Sequence, residues 1–129
     1  MAAAEQMQED RPDQLEALRR KVADFAAVRD WDQFHTPKNL AMALIAEAAE
    51  LVEHFQWLTA EQSQHLPAEK MDAISQELAD VLIYLVRIAD KLNIDLMQAV
   101  ERKMALNEKR YPASRVRGDA RRAGDYIKS

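Results

Sequence analysis

The chain has 129 residues, of which 48% are hydrophobic and 31% are charged, so it is long enough for one buried core and falls outside the disordered class. The absence of cysteine excludes disulfide scaffolds, thiolate zinc sites and a cysteine nucleophile. Apolar runs such as residues 81–86 are too short to cross a bilayer, and residues 1–10 do not resemble a signal peptide, so we expect a cytoplasmic protein with no membrane partner.

Helix signals recur along the chain, while no strand pattern or internal repeat occurs. Two glycines and four prolines among abundant Ala, Leu and Glu favour an all-α fold. Thr36 is placed as an N-cap before Pro37, and Thr59 and Gln62 have the spacing of a capping box that opens a short helical turn. The four predicted main helices span approximately residues 10–29, 36–58, 67–92 and 95–110.

The ends of these helices carry start and stop signals. Asp10 and Pro12 start the first helix, and Asn93 follows the third at a position that suits the left-handed C′ residue. Asp95 caps the fourth helix, and Pro112 stops it. We therefore expect a flexible segment over residues 1–10, a helical domain over residues 11–113 and a basic, loosely ordered tail over residues 114–129.

The net charge of −4 is unevenly distributed. Residues 1–100 hold 9 Lys and Arg against 18 Asp and Glu, whereas residues 101–129 hold 9 against 4. Because the body is acidic and no nucleic-acid motif occurs, we expect no nucleic-acid partner. The basic end is either a solvated tail or, in its first part, a source of cations for phosphate groups.

On the second predicted helix a carboxylate falls inside the apolar stripe. At 100° per residue that stripe consists of Leu40, Leu44, Leu51, Phe55 and Leu58. Glu47 lies within it, Glu50 lies on its flank, and Glu53 points away. A carboxylate among leucines is costly unless it is paired or bound to a metal ion, which makes Glu47 the sharpest anomaly in the sequence.

The third predicted helix is apolar on nearly all sides. Its main stripe comprises Ile74, Leu78, Val81, Leu85, Ile88 and Leu92. Ile83 and Val86 lie on the remaining face. Such a helix requires burial on several sides, which a four-helix monomer hardly provides. We therefore expect a homo-oligomer with this helix near its centre.

Two pairs of acids share the same helical spacing. Glu47 and Glu50 are separated by three positions, and Glu77 and Asp80 repeat this spacing beside the apolar stripe of the third helix. Four converging carboxylates suit Mg²⁺, the usual companion of polyphosphate substrates. Two alternatives stay open: solvated acids, the default for any single Glu, and a di-iron site, which normally needs Glu-x-x-His pairs that the chain lacks.

Aromatic and cationic side chains accompany these acids. Trp31, Trp57 and Tyr84 are either core aromatics or surfaces that stack on a nucleobase, and His35 is either a loop-packing residue or a substrate contact. Polar groups at the end of the fourth helix form either a solvated helix end or a triphosphate clamp. These polar groups are Lys103, Asn107, Arg110 and Tyr111. No glycine-rich phosphate loop is present, which excludes P-loop and Rossmann nucleotide sites.

Taken together, these motifs resemble the MazG-like nucleoside triphosphate pyrophosphohydrolases, and most closely their dCTP pyrophosphatase branch, over roughly residues 15–115. The resemblance rests on the two acid pairs, residues 29–35, 37–40, 55–57 and 80–85, Lys103, Asn107 and residues 110–112. It implies an all-α MazG-like bundle, assembled as a dimer or as a tetramer of two dimers. It also implies Mg²⁺-dependent hydrolysis of a deoxynucleoside triphosphate, dCTP or a modified dCTP, to the monophosphate and pyrophosphate.

The resemblance further implies roles for individual residues. The implied metal ligands and catalytic acids are Glu47, Glu50, Glu77 and Asp80, and we expect Glu50 to orient or deprotonate the attacking water. The implied substrate-binding residues are Trp31, His35, Lys38, Asn39, Trp57, Tyr84, Lys103, Asn107, Arg110 and Tyr111. Val22 stands where vertebrate dCTP enzymes carry a base-pocket histidine, so modified cytosines or a broader range of bases fit as well. A dUTP-preferring all-α enzyme and a non-catalytic helical interaction module are the alternatives.

Overall fold

The structure, a computed structural model, describes residues 13–121 of the chain. Within this range the secondary structure is helical, without strands, which confirms the predicted all-α class. The α-helices are α1 (Gln14–Ala27), α2 (Pro37–Glu53), α3 (Ala60–Ser63), α4 (Ala68–Lys91), α5 (Leu96–Arg110) and α6 (Ala113–Val116), and a 3₁₀ turn covers Asp32–Phe34. None of these helices is long and apolar enough to cross a membrane.

The described residues form two compact units, residues 13–93 and residues 94–121. The first unit contains α1 to α4, and the second contains α5 and α6. Within the first unit α4 packs along both α2 and α1. The predicted segments at residues 1–10 and beyond residue 121 lie outside the described residues.

Local capping determines where most helices begin and end. The Thr36 hydroxyl accepts a hydrogen bond from the backbone N–H of Asn39, with Pro37 in the first turn. Thr59 and Gln62 form the predicted capping box, in which each side chain accepts a backbone N–H of the other residue. Asp95 caps α5, and the left-handed Asn93 (φ 54°) ends the turn after α4.

Helix α1 differs from its prediction at its end. Its predicted start at Asp10 lies outside the described residues; within them, Asp13 is the N-cap of α1. The helix ends at Ala27 because Asp30 turns into the left-handed region (φ 55°). The N–H of Trp31 then donates to the carbonyl of Ala26, and the N–H of Asp30 donates to Ala27, which is the Schellman pattern.

Helix α2 is shorter than predicted. We expected it to reach about Leu58, but it ends at Glu53. His54 and Phe55 donate their backbone N–H groups to carbonyls three residues back, at Leu51 and Val52, so the last turn tightens and the chain leaves the helix axis. The consequence is that Trp57 lies on a turn and not on a helix face.

The core of the first unit is small. Its buried apolar residues are Ala26, Leu40, Ile74, Val86 and Ala89. In the single chain the predicted core stripe of the third helix, now α4, is buried only in part, because Leu78, Leu85 and Leu92 are 41–52% exposed. These residues lie on a side of α4 that neither α1 nor α2 covers within one chain. Val86, which we assigned to the remaining face, is buried instead.

Candidate active site

Three of the four predicted acids meet where α2 packs on α4. Glu47 extends from α2, and Glu77 and Asp80 extend from adjacent turns of α4. Each offers one carboxylate oxygen, and these oxygens all lie within 4.8 Å of one another. The helical spacing of Glu77 and Asp80 places both on one face, and the packing of the two helices adds Glu47.

The electrostatics of this cluster suit a bound cation. Burial, then a hydrogen bond with Glu77, then the charges of Glu50 and Asp80 together raise the pKa of Glu47 from 4.5 to about 7. One oxygen of Glu47 and one of Glu77 are buried without a hydrogen-bond partner. Buried polar atoms are normally paired, and hard carboxylate oxygens are the ligands that Mg²⁺ and similar cations prefer. The cluster can therefore bind a metal ion.

Glu50 lies beside this cluster and not within it. Its side chain is on the exposed side of α2, one turn beyond Glu47. Its negative charge nevertheless contributes to the raised pKa of Glu47, so the two carboxylates are close enough to interact. Its role as the fourth ligand, like the ligand roles of the other three acids, stays a prediction.

A cavity of about 440 Å³ adjoins the cluster through Asp80. It is lined by Leu18, Lys21, Val22, Phe25, Ala26, Trp31, His35, Asp80, Ile83, Tyr84 and Arg87. Burial, then the charges of Glu47 and Asp80, raise the pKa of the Tyr84 hydroxyl, which therefore stays protonated near neutral pH. The arrangement places an apolar, aromatic pocket directly beside a carboxylate cluster.

The end of α1 positions the aromatic wall of this cavity. Trp31 follows the left-handed Asp30 and meets Phe25 edge to face, with ring centroids 5.8 Å apart and an interplanar angle of 68°. Its ring also lies 6.3 Å from that of His35. The guanidinium of Arg29 lies 3.5 Å from the centroid of the Phe25 ring, which is a cation–π contact. Trp31 is thereby fixed on two sides, at 43% exposure.

Other predicted substrate-binding residues lie elsewhere. Trp57 is 87% exposed and is not among the residues that line the cavity. Lys38 is exposed, and the side-chain amide of Asn39 donates to the carbonyl of Phe34 at 3.0 Å, so Asn39 supports the loop of residues 30–35, here called the aromatic loop. The remaining predicted contacts belong to the second unit, on α5 or just after it. They are Lys103, Asn107, Arg110 and Tyr111.

Sequence reasoning missed several residues of this cavity, above all Arg87. Its guanidinium is buried and bonds to His35 and Asp32 of the aromatic loop. One signal was available: Asp80, Tyr84 and Arg87 recur at i, i+4 and i+7, so they share one face of α4. Helix α1 contributes more residues to the wall of this cavity, among them Leu18, Lys21 and Phe25.

Comparison with known proteins shows to which family this chain belongs. The profile of the MazG-like family matches residues 43–125, which is more than half of the chain. The chain belongs to the MazG-like family. The predicted resemblance is thus confirmed, and the helical fold of this MazG-like protein is the fold of that family.

Named relatives lie close in sequence to this MazG-like protein. Mouse (Mus musculus) dCTP pyrophosphatase 1 is 50% identical over 108 residues, which cover 82% of this chain and 64% of the mouse protein. Human dCTP pyrophosphatase 1 is 47% identical over 110 residues, covering 84% and 65% of the two chains. The chain thus spans slightly less than two thirds of the length of these relatives.

A solved structure agrees with the fold. The crystal structure of a pyrophosphatase from Archaeoglobus fulgidus matches with a TM-score of 0.74 at 38% sequence identity. The match covers 79% of this chain and 95% of that chain. The similarity therefore extends over most of the described helices.

Proposed function

We propose that this MazG-like protein hydrolyses a deoxynucleoside triphosphate, dCTP or a modified dCTP, to the monophosphate and pyrophosphate in a Mg²⁺-dependent reaction. The observation that carries the proposal is the convergence of Glu47, Glu77 and Asp80 beside an aromatic cavity. A polyphosphate needs a divalent cation, and a base needs an apolar pocket with aromatic walls. The names of the mouse and human relatives, dCTP pyrophosphatase 1, support the choice of dCTP.

The acids of α2 and α4 have distinct tasks in this proposal. Glu47, Glu77 and Asp80, with Glu50 beside them, would hold Mg²⁺. The bound ion would neutralise phosphate charge and lower the pKa of a nearby water. Glu50, the most exposed of the four, would orient or deprotonate the water that attacks the α-phosphorus. The bond from the α-phosphorus to its bridging oxygen breaks, and pyrophosphate leaves with that oxygen.

The cavity would hold the base. Its volume of about 440 Å³ lies within the usual range for small-ligand pockets. Trp31 and Tyr84 provide aromatic surfaces, and Val22 makes part of the wall apolar, which suits a substituent on the pyrimidine ring. Lys103, Asn107, Arg110 and Tyr111 of the second unit are proposed phosphate contacts; the cations among them suit a polyanion.

We also propose that the protein is a homo-oligomer, either a dimer or a tetramer of two dimers, in the cytoplasm. Five apolar side chains of α4 and its end are 41–52% exposed in the single chain: Met71, Leu78, Leu82, Leu85 and Leu92. Four of them recur every seven residues, which is the spacing of a helix seam that packs on another helix. Covering this seam with a second copy removes a large apolar surface from water.

A panel of deoxynucleoside triphosphates tests this function. We expect pyrophosphate release with Mg²⁺ and none after chelation, with the highest kcat/KM for dCTP or 5-substituted dCTP. If activity were highest on dUTP, uracil and not cytosine would be the preferred base. No pyrophosphate from any of the substrates would favour a non-catalytic helical interaction module.

A further inference from the structure

One charged side chain of the first unit is almost completely withdrawn from water. Arg87 on α4 is 4% exposed and is the single buried charged residue among residues 13–121. A buried charge is costly unless opposite charges and hydrogen-bond acceptors surround it. The position of Arg87, on the wall of the cavity beside the carboxylate cluster, therefore calls for a reason.

The partners of Arg87 join three elements of the fold. Its Nε donates to Nδ1 of His35 at 3.2 Å, one Nη donates to Asp32 of the 3₁₀ turn, and the other donates to Asp90 at 3.3 Å. Asp32 also accepts a hydrogen bond from Lys91 at 3.0 Å. A second link reaches α1, because Arg19 donates to Asp90 at 3.0 Å. Thus α4 is bound to the aromatic loop directly and to α1 through Asp90.

These contacts argue against a direct role for Arg87 in phosphate binding. Each of its three nitrogens already donates a hydrogen bond, and Asp32 and Asp90 compensate its charge. An arginine that bonds phosphate needs a free fork of donors. The guanidinium instead has the geometry of an anchor between a helix and a loop.

The anchored loop carries aromatic side chains of the cavity. Trp31 directly precedes Asp32, and His35 is itself a partner of Arg87. Because Nδ1 of His35 accepts the hydrogen bond from Arg87, the neutral ring carries its proton on Nε2. Burial, then the positive charge of Arg87, lowers the pKa of His35, which keeps the ring in this neutral form. One side chain thus fixes the position of Trp31 and the tautomer of His35.

We propose that Arg87 is a positioning residue for nucleotide binding: it anchors the loop that contains Asp32 and His35 to α4 and so holds Trp31 in place at the wall of the cavity. The proposal rests on the proposed function, because the cavity is taken as the base pocket. It predicts that loss of the anchor weakens substrate binding more than it slows the chemical step, since the carboxylate cluster is left intact.

Two variants with matched controls test the anchor. Arg87→Gln removes the anchor from the α4 side. Its control, Arg20→Gln, makes the same change at an exposed ion pair of α1. Asp32→Ala removes the ion pair on the loop side and leaves Arg87 bonded to His35 and paired with Asp90, so this variant keeps the test valid if Arg87→Gln does not fold. Asp72→Ala, an exposed position on α4, is its control.

Two measurements on these variants give independent answers. The chain has two tryptophans, so in a Trp57→Phe background acrylamide quenching of fluorescence reports on Trp31 alone. We expect the quenching constant to rise by about twofold in both anchor variants and to stay unchanged in both controls. In the native-tryptophan background we expect KM for dCTP to rise about tenfold, with kcat within about threefold of the wild type.

The outcomes separate the two proposals. Unchanged quenching in both anchor variants overturns the role of Arg87 alone. Increased quenching with unchanged KM also overturns it, because the loop would then be anchored without shaping the nucleotide site. A loss of kcat with unchanged KM contradicts the proposal as well and favours a general structural role for Arg87. A wild-type protein that hydrolyses none of the dNTPs overturns the proposed function, whereas the quenching result still reports on the anchor.

Discussion

Glu47→Gln separates the metal-binding role of the cluster from a structural one. The substitution replaces a half-buried carboxylate with a neutral amide of the same shape. Carboxylate oxygens of Glu47, Glu77 and Asp80 lie within 4.8 Å of one another. Two unit charges at that distance repel by about 3 kcal/mol at an effective dielectric constant of about 20. Solvent screening at a partly exposed site reduces the net gain to about 1 kcal/mol.

We therefore expect the metal-free variant to be more stable than the wild type at pH 8. For a chain of 129 residues, about 1 kcal/mol corresponds to a rise in Tm of about 3–5 °C. The folded protein raises the pKa of Glu47 from 4.5 to about 7, so the folded state binds more protons than the unfolded state between these values. The wild type thus loses stability as pH rises through that window, and the advantage of the variant vanishes below about pH 4.5.

Differential scanning calorimetry in EDTA, at one protein concentration and at pH 4.5 and pH 8, measures these differences. With Mg²⁺ the order reverses, because the ion stabilises the wild type and not the variant. Glu53→Gln, on an exposed position of α2, controls for a change of net charge and is expected to behave like the wild type. A metal-free Glu47→Gln protein that is less stable at pH 8 would refute the reasoning, since Glu47 would then be satisfied by structural partners.

Further predictions concern activity and assembly. Glu47→Ala or Asp80→Ala abolishes turnover while far-UV circular dichroism shows unchanged helix content; full activity in either variant contradicts the metal role. Trp31→Ala raises KM for dCTP by about tenfold in steady-state kinetics, from the loss of base stacking worth about 1–3 kcal/mol. Leu85→Glu, on the exposed seam of α4, converts the oligomer to smaller species in light scattering, and an unchanged mass contradicts the seam.

The sequence predicted the helix starts well because capping is local. The hydroxyls of Thr36 and Thr59 and the carboxylate of Asp95 each accept a backbone N–H three residues ahead. Such bonds depend on a few residues and on little else in the molecule. The end of α2 was missed because no glycine or proline marks it: residues 54–58 are compatible with a helix and leave it through a tightened last turn.

Periodicity predicted which side of a helix is apolar, but not what covers that side. Leu78 and Leu85 share a stripe with Ile74, and the pattern alone places all three in one core. In the single chain only Ile74 is buried, by the helices of its own unit. The remaining apolar surface depends on a partner surface, and hydrophobic spacing is the same whether that surface is in the same chain or another copy.

The acid cluster was accessible to sequence reasoning, whereas its surroundings were not. The i, i+3 spacing and the position of Glu47 among leucines predicted that the carboxylates converge. The contact of Arg87 with Asp32 joins residues 55 positions apart, and no local pattern relates them. A buried arginine was also unexpected, because its cost is offset only by acceptors that the tertiary fold brings together.

The central claim is that the acids of α2 and α4 share one divalent ion next to the base pocket. Anomalous diffraction from crystals grown with Mn²⁺ and α,β-imido-dCTP tests it most directly, since Mn²⁺ replaces Mg²⁺ at oxygen sites and gives its own signal. We predict a peak within about 2.2 Å of carboxylate oxygens of Glu47, Glu77 and Asp80, with the cytosine ring against Trp31. A peak elsewhere, or those carboxylates turned into solvent with no ion between them, would contradict the account.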